Sequence, residues 1–184
     1  CGSGLRSIVS GFQSIKLEEN KIIVSGGQEN MSRAPHSLFY RENKKLDESK
    51  LIDTMINDGL TDSFNHYHMG VTAENVAEKF QISRDEQDSF ALNSQKKAQE
   101  ATEKKKFKDE IIKLQINNNK ENVIFDKDEH PRNNLIIDDL KRLKTIFKEN
   151  GTVTPGNSSG INDGAAATVL MTRKQAELHS LEPL

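Results

Sequence analysis

Apolar residues recur along the chain at two spacings, one typical of helices and one typical of buried strands. Near the start, five of them repeat at intervals of three and four: Leu5, Ile8, Val9, Phe12 and Ile15. This spacing lines one face of a helix and predicts a helix from about Ser3 to Leu17. An unbroken apolar run at 22–24, closed by two glycines, predicts a short strand buried on both faces. A helix followed by a buried strand indicates α/β packing.

The segment from Asn30 to Gly70 has no clear period and is rich in polar residues, with Pro35 near its start. This pattern predicts a loop that contains a short helix near 51–56. The same segment carries a basic patch from Arg41 to Lys45.

A capping box marks the next helix, because Ser83 and Glu86 have the spacing at which each side chain satisfies a backbone amide of the other residue. It predicts a long helix from Arg84 to about Lys104. Two β-rich runs follow, at 110–116 and 123–125, and they predict a pair of strands joined by a short connection.

The last third of the chain returns to helical spacing over 135–147 and then reaches a glycine-rich block at 151–164. Four glycines among Thr, Asn and Ser predict a tight, hydrogen-bonded turn system there. The apolar run at 165–171 predicts another buried strand. The order of elements indicates a core segment, an inserted segment from about 30 to 150, and a return to the core.

Composition restricts the possible partners. A formal net charge of −2, from 26 basic and 28 acidic residues, argues against nucleic acid or an anionic membrane surface as a partner. No run approaches the roughly 20 apolar residues that a membrane-spanning helix needs. A single cysteine excludes an internal disulfide and a cysteine-based metal cluster, and it favours a reducing compartment.

That cysteine, Cys1, stands directly before the first predicted helix, beside Gly2 and Gly4. The unpaired amides and the positive dipole end of a helix N-terminus lower the pKa of a thiol. A thiolate placed there can attack a thioester and form an acyl-enzyme, with backbone amides near the developing oxyanion. A buried structural cysteine at a strand-to-helix turn explains the same residues, and spacing alone does not choose between the two interpretations.

Six motifs, in order, cover almost the whole chain: CGSGL, SGGQENMSRAPH, DGLTDSF, HMGVTAENVAEKF, ISRDEQDSFALNSQKKA and GTVTPGNSSGINDGAAATVLM. Together they resemble the thiolase family, and within it the short-chain biosynthetic branch. The resemblance implies an α/β fold with a layered αβα core and an inserted α+β loop domain that binds coenzyme A. The implied boundaries are core at 1–30, loop domain at 31–150 and core again at 151–184.

The resemblance also implies site residues. Cys1 matches the nucleophile that becomes acetylated. The positions that match coenzyme A contacts are Leu60, His68 and Met69 near the acyl group and pantetheine, Arg132 and Phe147 near the adenine and ribose phosphate, and Ser159 on the pantetheine arm. Taken without the resemblance, His66 and His68 are more often a surface pair, Arg132 a solvated charge and Phe147 an ordinary core residue.

The activity implied is the condensation of two acetyl-CoA molecules to acetoacetyl-CoA and free CoA, or the reverse thiolysis. Coenzyme A thioesters are then substrates, and neither a prosthetic group nor a metal is expected. Family members also carry a catalytic histidine and a second cysteine in motifs resembling GHP and CxGGG, and neither motif occurs here. We therefore expect this chain to be a fragment that is inactive alone, from a homotetramer built as a dimer of dimers.

Two other interpretations stay open from the sequence: a degradative 3-ketoacyl-CoA thiolase, and a non-catalytic fragment that binds CoA without turnover. The histidine of the HMG motif, His68, argues against the degradative branch, which usually lacks it. The expected location is the cytoplasm, with the mitochondrion left open.

Overall fold

A computed structural model describes residues 1–41, 51–118 and 121–183 of the chain. Its α-helices are α1 (Ser3–Lys16), α2 (Met69–Phe80), α3 (Arg84–Glu103), α4 (Ile137–Lys141) and α5 (Arg173–Leu178). Its strands are β1 (Ile22–Asn30), β2 (His36–Ser37), β3 (Ile52–Asp53), β4 (Leu114–Asn118), β5 (Glu121–Phe125) and β6 (Asp163–Met171).

Residue contacts divide the chain into two compact units. One consists of Cys1–Pro35 together with Ile161–Leu184, and the other of His36–Gly160. The domain boundaries implied by the resemblance stay a prediction.

The first unit is built on a two-stranded antiparallel sheet, in which Ile22 pairs with Met171 and Asn30 with Asp163. Helix α1 packs on this sheet at very short range. Gly11 is buried, and a Cβ added there would lie 2.6 Å from Ser25 Oγ. Glycine at this position therefore lets the helix approach the strand more closely than any other residue would allow.

Strands form at both predicted positions, but β1 is longer than predicted, because it continues through Gly26 and Gly27 to Asn30. The expectation that these strands are buried is also wrong for the described chain. Most residues of both strands are exposed, and the exposed fraction reaches 71% for Val24 and 58% for Val169. The physical reason is that one helix covers at most one face of a two-stranded sheet. An apolar run shows that a strand is able to be buried, but burial also requires a layer that covers it. Within the described residues, no second layer covers these strands.

In the second unit, helix α3 begins as predicted. The Ser83 amide donates to Glu86 Oε2 at 2.7 Å, and the Glu86 amide donates to Ser83 Oγ at 3.3 Å. Strands β4 and β5 form the expected antiparallel pair, with Leu114 opposite Phe125. Both features depend on signals between residues that are close in sequence, which explains why they could be predicted.

The short helix predicted near 51–56 is wrong in position. Strand β3 occupies Ile52–Asp53, and a single π-helical turn follows at Met55–Gly59. Asp53 Oδ1 accepts hydrogen bonds from the amides of Met55 and Ile56, at 2.9 and 3.3 Å. A carboxylate that accepts from the amides two and three positions farther along acts like an N-terminal helix cap, so the helical turn begins only after Asp53. The predicted basic patch, apart from Arg41, lies outside the described residues.

The helix predicted over 135–147 is also wrong, because α4 ends at Lys141. The guanidinium of Arg84 donates to the carbonyls of Leu140 and Leu143, at 2.7 and 3.0 Å. The Ile146 amide donates to the carbonyl of Val153 at 3.3 Å. Tertiary hydrogen bonds thus take backbone groups that a longer helix would have paired internally.

Candidate functional site

Cys1 is a free, exposed cysteine directly before α1. Gly2 is the N-cap of the helix and supplies no side-chain hydrogen bond to the first turn. A Cβ added at Gly2 would meet no atom of the described chain within 4 Å. The thiol therefore stands beside open space at a helix N-terminus that has no side-chain cap, which suits attack on a bulky carbonyl compound. The lowered pKa of this thiol remains a prediction.

Contacts between α1 and β1 fix the position of this helix N-terminus. Ser7 Oγ donates to the carbonyl of Gly26 at 2.8 Å, one turn after the start of the helix. A Cβ added at Gly27 would lie 3.2 Å from the Cα of Gly4. Two glycines thus face each other where the helix begins, and they bring the residues after Cys1 down onto the strand.

A second group of predicted site residues lies in the other unit, where the chain folds back on itself before α2. Thr61 and His68 form an antiparallel bridge, and the Met69 amide donates to the carbonyl of Leu60 at 2.8 Å. The carboxylate of Asp62 closes the turn by accepting from the Asn65 amide at 2.7 Å, and this hydrogen bond is the main reason that the pKa of Asp62 is lowered. Leu60, His68 and Met69 are therefore neighbours.

His68 and Phe147 are in direct contact. Their ring centroids are 4.7 Å apart, and the ring planes differ by 19°, which is a stacked arrangement. His68 is also the N-cap of α2, because its Nδ1 accepts the amide hydrogen of Gly70 at 2.9 Å. An accepting Nδ1 leaves the proton of the neutral ring on Nε2, so the outer edge of this imidazole is a hydrogen-bond donor.

The glycine-rich block is held in place by Glu74, a buried residue of α2 that is 3% exposed. Its carboxylate accepts from the Thr152 amide and hydroxyl, each at 2.9 Å, and from the Val153 amide at 2.8 Å. Burial raises the pKa of Glu74, but the hydrogen bonds from Val153 and Thr152, with a contribution from Lys148, lower it below its ordinary value of 4.5. The group is therefore a carboxylate at neutral pH.

A second buried acid, Asp88 on α3, holds the same block from the other side. It is fully buried. Arg84 Nε donates to its Oδ2 at 2.7 Å, and Asn157 Nδ2 donates to its Oδ1 at 3.0 Å. Asn157 Oδ1 in turn accepts the Thr154 amide at 2.8 Å. Residues 152–157 are thus fixed to α2 through Glu74 and to α3 through Asp88.

The other two predicted contacts, Arg132 and Ser159, have exposed side chains. The Arg132 amide donates to Gln95 Oε1 at 2.9 Å, so this residue is anchored beside α3. Ser159 follows the block that Glu74 and Asp88 hold. The structure therefore joins Leu60, His68, Met69 and Phe147 by contact, whereas Arg132 is anchored separately at Gln95 and Ser159 follows the glycine-rich block.

Sequence reasoning missed Glu74 and Asp88. One signal was available for Glu74: it falls at i+4 from Gly70 and at i−3 from Ala77, and these three are the buried residues of α2. A carboxylate on a face of small residues indicates a buried, hydrogen-bonded acid. Its partners lie about 80 positions farther along, however, and no local pattern identifies them.

Among the described residues, every helix is too short or too polar to span a lipid bilayer. The same part of the chain contains no group of three or more His, Cys, Asp or Glu arranged to hold a metal ion.

Several known proteins resemble this chain over its whole length. A family model described as the thiolase N-terminal domain matches residues 1–174. An acetyl-CoA acetyltransferase of Rhizobium meliloti (strain 1021) is 50% identical over 184 residues, which are all of this chain and 47% of that protein. A probable acetyl-CoA acyltransferase of Staphylococcus aureus (strain COL) is 48% identical over 186 residues, again all of this chain and 47% of the relative.

Solved structures show the same similarity. The crystal structure of the Bacillus anthracis acetyl-CoA acetyltransferase has a TM-score of 0.92 at 39% identity, and the match covers all of this chain and 47% of that one. Human mitochondrial 3-ketoacyl-CoA thiolase has a TM-score of 0.90 at 36% identity, with the same two shares covered. These matches confirm the predicted α/β fold class. The chain spans about half the length of the curated relatives it matches.

The hydrogen bonds of Glu74 give a prediction for stability. Glu74→Gln replaces one carboxylate oxygen by an NH2 group, which is a donor and faces the donors of Thr152 and Val153. At neutral pH the substitution should therefore lower the free energy of unfolding by about 1–3 kcal/mol. Because the pKa of the folded carboxyl is lowered, its contribution is present above pH 4.5 and is lost as the pH falls below that value. Denaturant unfolding of wild type and variant at several pH values measures both effects.

Glu78→Gln is the matched control, since Glu78 lies one turn farther along α2, is exposed and pairs with Lys148 at the surface. It should leave the unfolding midpoint nearly unchanged. A Glu74→Gln variant as stable as this control at neutral pH would contradict the role of the buried carboxylate.

Proposed function

Because this chain belongs to the thiolase family, we propose that the protein that carries it is an acetyl-CoA C-acetyltransferase, which condenses two acetyl-CoA molecules or cleaves acetoacetyl-CoA. The observation that carries the proposal is the 50% identity to an acetyl-CoA acetyltransferase over all 184 residues, including Cys1 at its open helix N-terminus.

The first step of the proposed reaction is attack of the Cys1 thiolate on the thioester carbonyl of acetyl-CoA. A new carbon–sulfur bond forms, the bond to the CoA sulfur breaks, and the CoA thiolate leaves. One thioester replaces another, so the step is nearly balanced in free energy. Amides at the start of α1 are suited to stabilise the developing oxyanion.

In the second step the methyl carbon of another acetyl-CoA, after losing a proton to a base, attacks the acetyl group on Cys1. The product is acetoacetyl-CoA, and the Cys1 thiolate is released. Cys1 is the single cysteine of the sequence and is occupied by the acetyl group at this stage. We therefore assign the base to the part of the protein that corresponds to the remaining half of the relatives.

The stacked pair refines the assignment of the coenzyme A contacts. The resemblance gives His68 to the acyl end and Phe147 to the adenine end, which lie at opposite ends of an extended ligand. Since the two rings are 4.7 Å apart, we assign both to one segment of that ligand, the pantetheine arm next to the thioester. Leu60 and Met69 adjoin the same segment, while Arg132 and Ser159 are proposed for more distant parts.

A degradative 3-ketoacyl-CoA thiolase is the second candidate, supported by the 36% identity to the human mitochondrial enzyme. His68 in the HMG motif favours the short-chain activity. Kinetics with acetoacetyl-CoA and with longer 3-ketoacyl-CoA substrates distinguish the two.

We also propose a homotetrameric enzyme located in the cytoplasm. Exposed apolar side chains on α1, with Leu5 69% and Phe12 58% exposed, are suited to cover by further protein. The bacterial origin of the relatives and the free thiol of Cys1 favour a reducing cytoplasm.

The nucleophile is tested by incubating the protein expressed from its complete gene with radiolabelled acetyl-CoA. Wild type should retain label on the peptide that contains Cys1. Cys1→Ala should retain none, and its turnover should fall by about a thousandfold or more. Ser3→Ala, two residues away, is the control and should still be labelled. Label on another residue, or full turnover in Cys1→Ala, would contradict the proposal.

The ligand role of His68 can be separated from its role as a helix cap. Asn is a good N-cap and can accept the Gly70 amide, so His68→Asn should be more stable than His68→Ala by about 1 kcal/mol. Neither variant keeps the imidazole ring, and both should bind CoA more weakly than wild type. Thermal unfolding and calorimetry with CoA measure the two effects. Wild-type CoA affinity in His68→Asn would exclude a direct contact.

A further inference from the structure

Gly70 is a buried residue in the first turn of α2, and its missing side chain is what admits Phe147. A Cβ built on Gly70 would lie under 3.0 Å from Cγ, Cδ1 and Cδ2 of the Phe147 ring, a separation that real Cβ atoms essentially never show. The conflict is with the root of the ring and not with its tip, so a small rotation does not remove it. Even alanine at position 70 therefore requires Phe147 to leave its place.

The backbone of the same residue orients the other ring. The Gly70 amide donates to His68 Nδ1 at 2.9 Å, which fixes the imidazole as a helix cap. The face of that imidazole is covered by the Phe147 ring at 4.7 Å. One glycine thus controls two aromatic side chains, His68 and Phe147, that are far apart in the sequence.

We propose that Gly70 is a positioning residue for the CoA thioester, acting through Phe147 and His68. Its missing Cβ leaves room for the Phe147 ring against His68, so that an apolar ring lies next to the imidazole and its Nε2–H donor. Such a surface suits a ligand that alternates methylene groups with amide or thioester carbonyls. This inference rests on the proposed function and adds a residue that need not touch the substrate.

The test is a double-mutant cycle in the protein expressed from its complete gene. The variants are Gly70→Ala, Phe147→Ala and the two combined, with Gly59→Ala as the control. Gly59 is a matched glycine in the same unit, because a Cβ added there would meet nothing within 4 Å. For each variant the Kd for CoA is measured by calorimetry, KM and kcat are measured with acetoacetyl-CoA, and the thermal midpoint is recorded.

Gly70→Ala should raise KM and Kd by roughly three- to tenfold, the effect expected for a lost aromatic contact, while kcat changes by less than about twofold. In the Phe147→Ala background the added methyl has no ring to displace. The combined variant should therefore bind CoA as Phe147→Ala does, and Gly59→Ala should match wild type. A strong coupling between the two positions is the signature of the proposed role.

Two results would overturn the inference. One is unchanged KM and Kd in Gly70→Ala. The other is a loss of CoA affinity from Gly70→Ala that is as large in the Phe147→Ala background as in the wild type. If Gly70→Ala alone does not fold while the combined variant does, the added methyl acts through the Phe147 ring, as the inference requires. Weaker CoA binding by the combined variant than by Phe147→Ala would then still overturn it. Acetyl labelling of Cys1 is a separate measurement. Its failure would reject the acetyltransferase proposal, whereas the coupling in CoA binding tests Gly70 alone.

Discussion

The carboxylate of Glu74 is the constraint on which the second unit depends. A buried carboxylate is costly unless hydrogen bonds replace its water, and here Thr152 and Val153 supply three donors from a segment almost 80 positions away. Gly151 makes this possible, because a Cβ added there would lie under 3.0 Å from Glu74 Oε1. With Asp88 and Asn157 on the other side, the glycine-rich block is held between α2, which begins directly after its N-cap His68, and α3.

Each of the two units uses the same device: a glycine admits a neighbour that any side chain would exclude. Gly11 brings α1 onto Ser25, Gly70 brings Phe147 onto α2, and Gly151 brings the backbone onto Glu74. In each case the close approach orients a group that the proposed chemistry needs. Gly11 positions the helix that follows Cys1, Gly70 positions the ring that stacks on His68, and Gly151 positions the segment that leads to Ser159.

Sequence signals between nearby residues predicted much of the fold, but they predicted few of the long-range contacts that hold the proposed site residues in place. The spacing of α1, the capping box of α3 and the β4–β5 pair involve residues near one another in sequence, and the structure contains all three. The helix expected over 135–147 does not form because Arg84, more than 50 positions away, takes the carbonyls of Leu140 and Leu143. Motif resemblance supplied the family and the proposed site residues, but it gave no sign that His68 and Phe147 touch.

Amide hydrogen exchange at Thr152 and Val153 tests the central claim most directly, because both amides donate to Glu74. In the wild-type protein at neutral pH, we expect exchange at these two amides to be slow. In Glu74→Gln it should be much faster, while the amides within α3 keep their protection. Rapid exchange of both amides in the wild type, or equal protection in the variant, would contradict the claim that this carboxylate holds the glycine-rich block in place.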